Sequence, residues 1–330
     1  MKCYLPAEWE AQESVMLVFP HQKSDWRCCL KEIEDSYKEL ISAVSKYQKC
    51  LVLCSDIEKT KKRLSCLSSK NIELIEVKTN DTWIRDYGAI DLICGDEVIS
   101  VDFRFNGWGE KFDATLDNMV NRTLYNKGVF TNRLLEEDFI LEGGSIDTNG
   151  RGVLLTTKKC LLNRNRNRAD KEYIENYLKN RLYIDKIIWL EHGFLIGDDT
   201  DSHIDTLARF LDEKTIAYVK CYDKKDEHYN ELQMMESELK KSGFDLVPLP
   251  LPHPIFYNNK RLPATYLNFL FINGAVLIPT YNNPYDKEVL DFFGNFYKDK
   301  DIIPIDSTIF IREHGSIHCS TMQKYIKAYV

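Results

Sequence analysis

Cys319 closes the stretch His314-Gly315-Ser316-Ile317-His318-Cys319, short of any strong helical pattern, where a strand meets a loop. Such a position can present a thiolate, the form of cysteine that attacks electrophiles. Elsewhere the sequence offers Asp86, Glu142, and the pair His203 and Asp205. A cysteine nucleophile with a His is common to thiol proteases, amidinotransferases and thiol hydrolases. Three carboxylates in one pocket are more than a protease needs to orient its His. Clustered carboxylates raise one another's pKa, and a cation between them relieves that cost. The planar cation whose fork pairs bidentately with carboxylates is guanidinium.

These residues span most of the chain, so a regular set of elements must gather them. A weak internal repeat supplies one. The first unit opens at Trp83–Gly88, alternates through Ile93, turns at Gly95-Asp96 and returns as Val98–Val101, with a helix over Leu116–Lys127. The second opens at Leu141–Ile146, turns at Asn149-Gly150 and returns as Val153–Thr156, followed by a helix over Ala169–Lys179 and a strand Lys186–Leu190. The third opens at Ser202–Asp205 and returns as Thr215–Val219, with a helix over Asn230–Lys241 and a strand Phe244–Leu249. The fourth opens at Tyr266–Phe271 and returns as Ala275–Pro279, with a helix over Asp286–Phe296 and a strand Asp301–Ile305. The fifth opens at His314–Cys319 and takes its remaining parts from the front of the chain: Val15–Phe19, a helix over Leu30–Lys46 and a strand Cys50–Cys54. The two ends then close one ring, a repeat architecture without separate domains. Asp86, Glu142, His203 with Asp205, and Cys319 each fall at the opening strand of a different unit, so they point toward a common axis.

Composition narrows the partners. The 330 residues carry a formal net charge of −7, against a nucleic-acid surface and compatible with a cationic small molecule. No apolar run approaches a membrane span, and the opening Met1–Glu10 lacks the apolar core of a signal peptide. Ten cysteines with no CxxC pair lead us to expect free thiols in a reducing cytoplasm. Cys28-Cys29 and the Cys50/Cys54 pair have no zinc-finger partners, and His21, His192, His228 and His253 have none at metal spacing, so no metal is expected.

Six stretches then carry a resemblance: Asn80–Gly88, Phe105-Asn106-Gly107-Trp108-Gly109, Glu142–Ser145, Cys160–Asn167, Asp201–Asp205 and His314–Cys319. Together they resemble the agmatine deiminase and bacterial-type peptidylarginine deiminase family of guanidino-group-modifying enzymes, end to end and in the family's order. The resemblance implies a five-bladed α/β propeller of ββαβ modules with pseudo-fivefold symmetry, in agreement with the repeat, as one catalytic domain over 1–330. It implies that Cys319 attacks the guanidinium carbon and that Asp86 and Asp205 hold the guanidinium nitrogens. Glu142 would position and charge-balance His203, which would protonate departing ammonia and then activate water. No metal or organic cofactor is required. The family also implies a homodimer.

Other residues have two readings. Trp83 and Trp108 either wall or close the pocket, or pack in the core. Asp199, in the acidic run Asp198–Asp201, is the candidate for an amine-binding end, against a solvated loop. Asn163–Arg168 reads as a surface loop or dimer contact rather than a nucleic-acid patch. His318, next to Cys319 on a strand, would face the other way and serve structure. Ala89 stands where the family commonly has Pro, and Ser202 and Thr206 flank His203 and Asp205 where Gly and Asn are frequent. The expected activity is hydrolysis of agmatine to N-carbamoylputrescine and ammonia through a covalent Cys-amidino intermediate, in polyamine synthesis. Peptidylarginine or free arginine are alternative substrates, and an amidinotransferase is an alternative within the same chemistry; a non-catalytic guanidino-binding protein and a thiol protease are alternatives of other classes.

Overall fold

A computed structural model describes residues 3–68 and 70–326. Five sheets share one pattern, in which a middle strand pairs antiparallel with a short opening strand and parallel with a closing strand. The middle strands are Glu97–Arg104, Val153–Thr157, Thr215–Lys220, Ala275–Thr280 and Gln12–Val18. Their opening partners are Ile90–Cys94, Ile146–Thr148, Ala208–Phe210, Leu270–Ile272 and Thr321–Tyr325. Their closing partners are Arg133–Ile140, Lys186–Leu190, Asp245–Pro250, Asp301–Asp306 and Lys49–Cys54. A helix links each middle strand to its closing strand, because a parallel pair needs a crossover. The last opening strand therefore sits beside a strand from the front of the chain, Thr321 against Leu17.

Local sequence explains the pieces. Helix Leu30–Ser45 buries Leu30, Ile33, Tyr37, Leu40, Ile41 and Val44, the spacing of one helical face. Asp170 caps helix Lys171–Leu182 by accepting from the Tyr173 amide at 2.8 Å, and Tyr183 ends it in the left-handed region at φ 57°. Strand Lys49–Cys54 is apolar on both faces because it runs between parallel neighbours. The apolar interior falls into two clusters, one around Met16, Trp26 and Tyr37, the other around Phe210, Tyr266 and Phe293. Each fully buried side chain of this size contributes about 1.5–3 kcal/mol.

The expected opening strands are displaced. Trp83–Gly88, Leu141–Ser145, Ser202–Leu207 and His314–Ser320 are turns and short helices ahead of the strands. These segments are buried like strands, which is why alternation in sequence reads them as strands. Strands Cys3–Tyr4, Ile72–Glu76 and the hairpin Phe256–Tyr257/Lys260–Arg261 have no counterpart in the sequence reading. The expectation of ten free thiols is also corrected. Cys3 and Cys94 face each other across an antiparallel pair and form a disulfide, leaving eight free cysteines. Among the described residues no helix is long and apolar enough to cross a membrane.

Candidate active site

The gathered side chains stand on the turns that precede the opening strands. Asp86 lies in the helical turn Ile84–Tyr87, and Glu142 immediately precedes the turn Gly143–Ser145. His203 immediately precedes the turn Ile204–Thr206, which contains Asp205, and Cys319 lies just ahead of strand Thr321–Tyr325. The fourth unit places Asn268 at the corresponding position ahead of Leu270–Ile272. Turns free these groups from the alternation of a strand, so neighbouring residues can serve the same site. The approach is tight: a Cβ on Gly144 would lie 2.7 Å from His203 Nδ1 and 2.8 Å from Asp86 Oδ1.

Asp86, His203, Asp205 and Cys319 line one cavity of about 110 Å3. Trp83, Trp108 and Asp199 line it too. Gly144 N–H donates to Asp86 Oδ1 at 2.9 Å and Trp108 Nε1–H donates to Asp86 Oδ2 at 2.8 Å. Trp108 thus does more than wall the pocket, because it aims a carboxylate. Its backbone is held at φ 56° between two positive-φ glycines. Trp83 leaves no room for a side chain at residue 315, where a Cβ would meet its ring at 2.2 Å.

Asn268 was not singled out from the sequence. Its Nδ2–H donates to Asp205 Oδ2 at 3.1 Å and to Cys319 Sγ at 3.2 Å, while its Oδ1 accepts from the His318 amide at 3.0 Å and the Cys319 amide at 3.3 Å. The signal for it was its place in the fourth repeat. Sγ of Cys319 lies 3.6 Å from Asp205 Oδ2. His203 Nε2 and Asp205 Oδ1 are buried without a hydrogen-bond partner among the described residues. Buried polar atoms rarely stay unpaired; Asp205 is a cavity-lining residue, whereas His203 Nε2 lies on the side of Glu142 and Cys160.

Glu142 is fully buried outside the cavity lining. Both of its oxygens accept from Arg166 Nε at 2.9 Å, and Arg166 also donates to Asp201 at 2.8 Å. This corrects in part the reading of Asn163–Arg168 as a surface loop or dimer contact: Arg164 and Arg168 are exposed, but the second arginine, Arg166, is a buried anchor. Glu142 Oε2 lies 4.0 Å from His203 Nε2, whereas His203 Nδ1 lies 3.7 Å from Asp86 Oδ1. Glu142, Cys160 and His203 bring three possible metal ligands within 4.8 Å of one another. The Arg166 guanidinium already compensates the buried charge of Glu142, so a metal ion there would meet a neighbouring cation.

The charges set the titration. Burial, then Asp205 and Asp86, hold the Cys319 thiol well above its ordinary value. Burial pushes the His203 imidazole down, but the negative groups around it, led by Asp86, outweigh burial and raise it well above its ordinary value. Burial also raises Asp86. For Asp205, burial is outweighed by the hydrogen bond and charge of His318, and its pKa is lowered. His318 is on a turn, not a strand. Its Nδ1 reaches Asp205 at 2.8 Å, so it does not face away from the site.

The fold and this cluster of a thiol, an imidazole and paired carboxylates agree with the comparisons. A family model described as Porphyromonas-type peptidyl-arginine deiminase matches residues 4–324, and the chain belongs to that family. It is similar to the agmatine deiminase of Pseudomonas syringae pv. syringae (strain B728a), at 30% identity over 97% of this chain and 95% of the relative. It is similar to that of Ectopseudomonas mendocina (strain ymp) at 31% identity, with 97% and 95% covered. Among solved structures, a C. jejuni agmatine deiminase with a cysteine-to-serine substitution and substrate bound is 46% identical, with a TM-score of 0.96 over 99% of this chain and 98% of that one.

Proposed function

We propose that the chain hydrolyses agmatine to N-carbamoylputrescine and ammonia, a deimination within putrescine synthesis. The observation that carries this is the charge of the cavity lining: Asp25, Asp86, Asp198, Asp199, Asp205 and Glu313 against no Lys or Arg. A diamine-like cation suits such a chamber, whereas free arginine or a C-terminal arginine brings a carboxylate that needs a basic partner. The relatives named agmatine deiminase support the same reading.

Asp86 and Asp205 hold the guanidinium nitrogens. The cation between them lowers the thiol of Cys319 by Coulomb attraction, so the nucleophile forms where its target sits. Thiolate sulfur bonds to the guanidinium carbon, and His203, held as imidazolium, gives its proton to the departing nitrogen, which leaves as ammonia. Neutral His203 then takes a proton from water as its oxygen attacks the amidino carbon. The C–S bond breaks, returning the thiolate, and the hydroxyl of the collapsing intermediate gives up its remaining proton, which leaves as ammonium with the ammonia, so a neutral urea is left. Glu142 holds His203 with Arg166 behind it, and Trp83 packs the wall.

Asp199 takes the distal amine. Asp198 is spent on Thr200 and Ser202, and Asp201 on Arg166 and Lys111. That leaves Asp199 as the uncommitted carboxylate of the run, with burial raising its pKa until a cation arrives. Around this site we arrange the five sheets as blades of a propeller with pseudo-fivefold symmetry, one domain over 1–330. Residues 1–2, 69 and 327–330 of that span lie outside the described residues. A cytoplasmic homodimer that needs no metal or cofactor completes the reading. Turnover of agmatine, free arginine and an arginine peptide at equal concentration tests it: agmatine is preferred, and a preference for the peptide overturns the substrate.

A further inference from the structure

Behind the cavity lies a buried chain of charges that the reaction above does not use. His318, 2% exposed, stands between two carboxylates, with Nδ1 at 2.8 Å from Asp205 Oδ2 and Nε2 at 2.8 Å from Glu8 Oε2. Glu8 is fixed in turn by Arg209 and by the Phe271 amide at 2.8 Å, and Arg209 also reaches Asp147. A carboxylate only accepts, so a ring flanked by two of them must donate from both nitrogens, and only imidazolium does that. Asn268 binds the same Asp205 oxygen from the other side, which turns Oδ1, unpartnered, into the cavity.

We propose that His318 is a positioning residue, a buried imidazolium that, clamped from behind by Glu8, keeps Asp205 ionised and aimed at the substrate cation. The proposal rests on the deiminase reading of the same site. Other charges facing Asp205 are His203 and Asp86 across the cavity, Cys319 beside it and Arg209 behind, and Arg85 and Asp147 face the Glu8 end. Arg209 offsets Glu8 and Asp147, which leaves His318 as the cation in direct contact with Asp205. The lowered titration of Asp205 and of Glu8 agrees, since each carries His318 among its causes after burial.

Removing the cation raises the titration of Asp205, so the acid limb of kcat/KM for agmatine moves to higher pH. In His318→Gln that limb moves up by about one pH unit or more, with KM rising more than kcat falls, and the alkaline limb stays in place. Glu8→Gln moves the same limb in the same direction by less. A purely structural role would lower activity at every pH without moving the limb, and that result overturns the proposal. The second readout needs no turnover: 15N spectra of histidine-labelled protein, assigned by the resonance lost in His318→Gln. The ring shows two protonated nitrogens near neutral pH in the wild type. A singly protonated ring there overturns the proposal; should His318→Gln not fold, the resonance that shifts in Glu8→Gln makes the assignment. Failure of the wild type to turn over agmatine would instead overturn the deiminase reading.

Discussion

The buried pair of Glu142 and Arg166 illustrates how side chains here depend on one another. Arg166→Met strands a fully buried carboxylate, and we expect it to cost about 3–5 kcal/mol, read as a lower urea midpoint. Adding Glu142→Gln recovers part of that loss, because the uncompensated charge is then gone. A second expectation concerns Cys319, whose raised pKa keeps it a thiol below that value and makes it a thiolate only above it. Neutral iodoacetamide should modify it slowly at about pH 7.5 and faster as pH rises. A cationic haloamidine supplies the charge that ionises the sulfur and reacts about tenfold faster or more at the same pH. Equal rates would mean that the sulfur is already ionised without a cation. The sequence showed Cys319, His203, Asp86, Asp205 and Glu142 because charged and nucleophilic residues in short motifs stand out from their surroundings. Arg166 stayed hidden because arginines in polar runs are mostly exposed. Glu8 stayed hidden because nothing near it in sequence suggests a partner 310 positions away.

The turns ahead of the opening strands carry the site, and glycine lets them pack this closely. Gly144→Ala would press a methyl into His203 and Asp86, and we expect roughly a hundredfold loss of kcat/KM with little change in thermal midpoint. Gly143→Ala would instead strike the Arg85 carbonyl, where a Cβ lies 2.2 Å away, and should cost stability as well. Thiol counting in denaturant tests another element: eight cysteines react before reduction if Cys3 and Cys94 stay joined, and ten after it. Helix Asp286–Phe296 and strand Lys186–Leu190 match their sequence readings to the residue, because Asn-Pro, Gly and charge changes punctuate their ends. Opening strands were read too early, since these turns are buried as continuously as the short strands that follow them. Cys3 and Cys94 could not be paired from spacing, being 91 residues apart.

Across the whole molecule, the strand that follows Cys319 is seated on a strand from the front of the chain. Loss of tertiary structure anywhere should therefore silence the site at once. Tryptophan fluorescence, far-ultraviolet circular dichroism and agmatine turnover are expected to share one denaturation midpoint, and activity lost well before the other two would argue for units that melt separately. The repeat was legible because hairpin turns such as Asn149-Gly150 and Asn273-Gly274 mark its period. The closing strand Arg133–Ile140 was missed because its half-exposed pattern lacks a continuous apolar run. Asn268 gives this plan a practical corollary. Four modules contribute an acid, a base or a sulfur, and the remaining one contributes a neutral amide through the same kind of turn. Because that amide bonds Asp205 of one neighbouring turn and Cys319 of another, an engineer who redesigns one wall of the chamber must refit the adjoining walls with it.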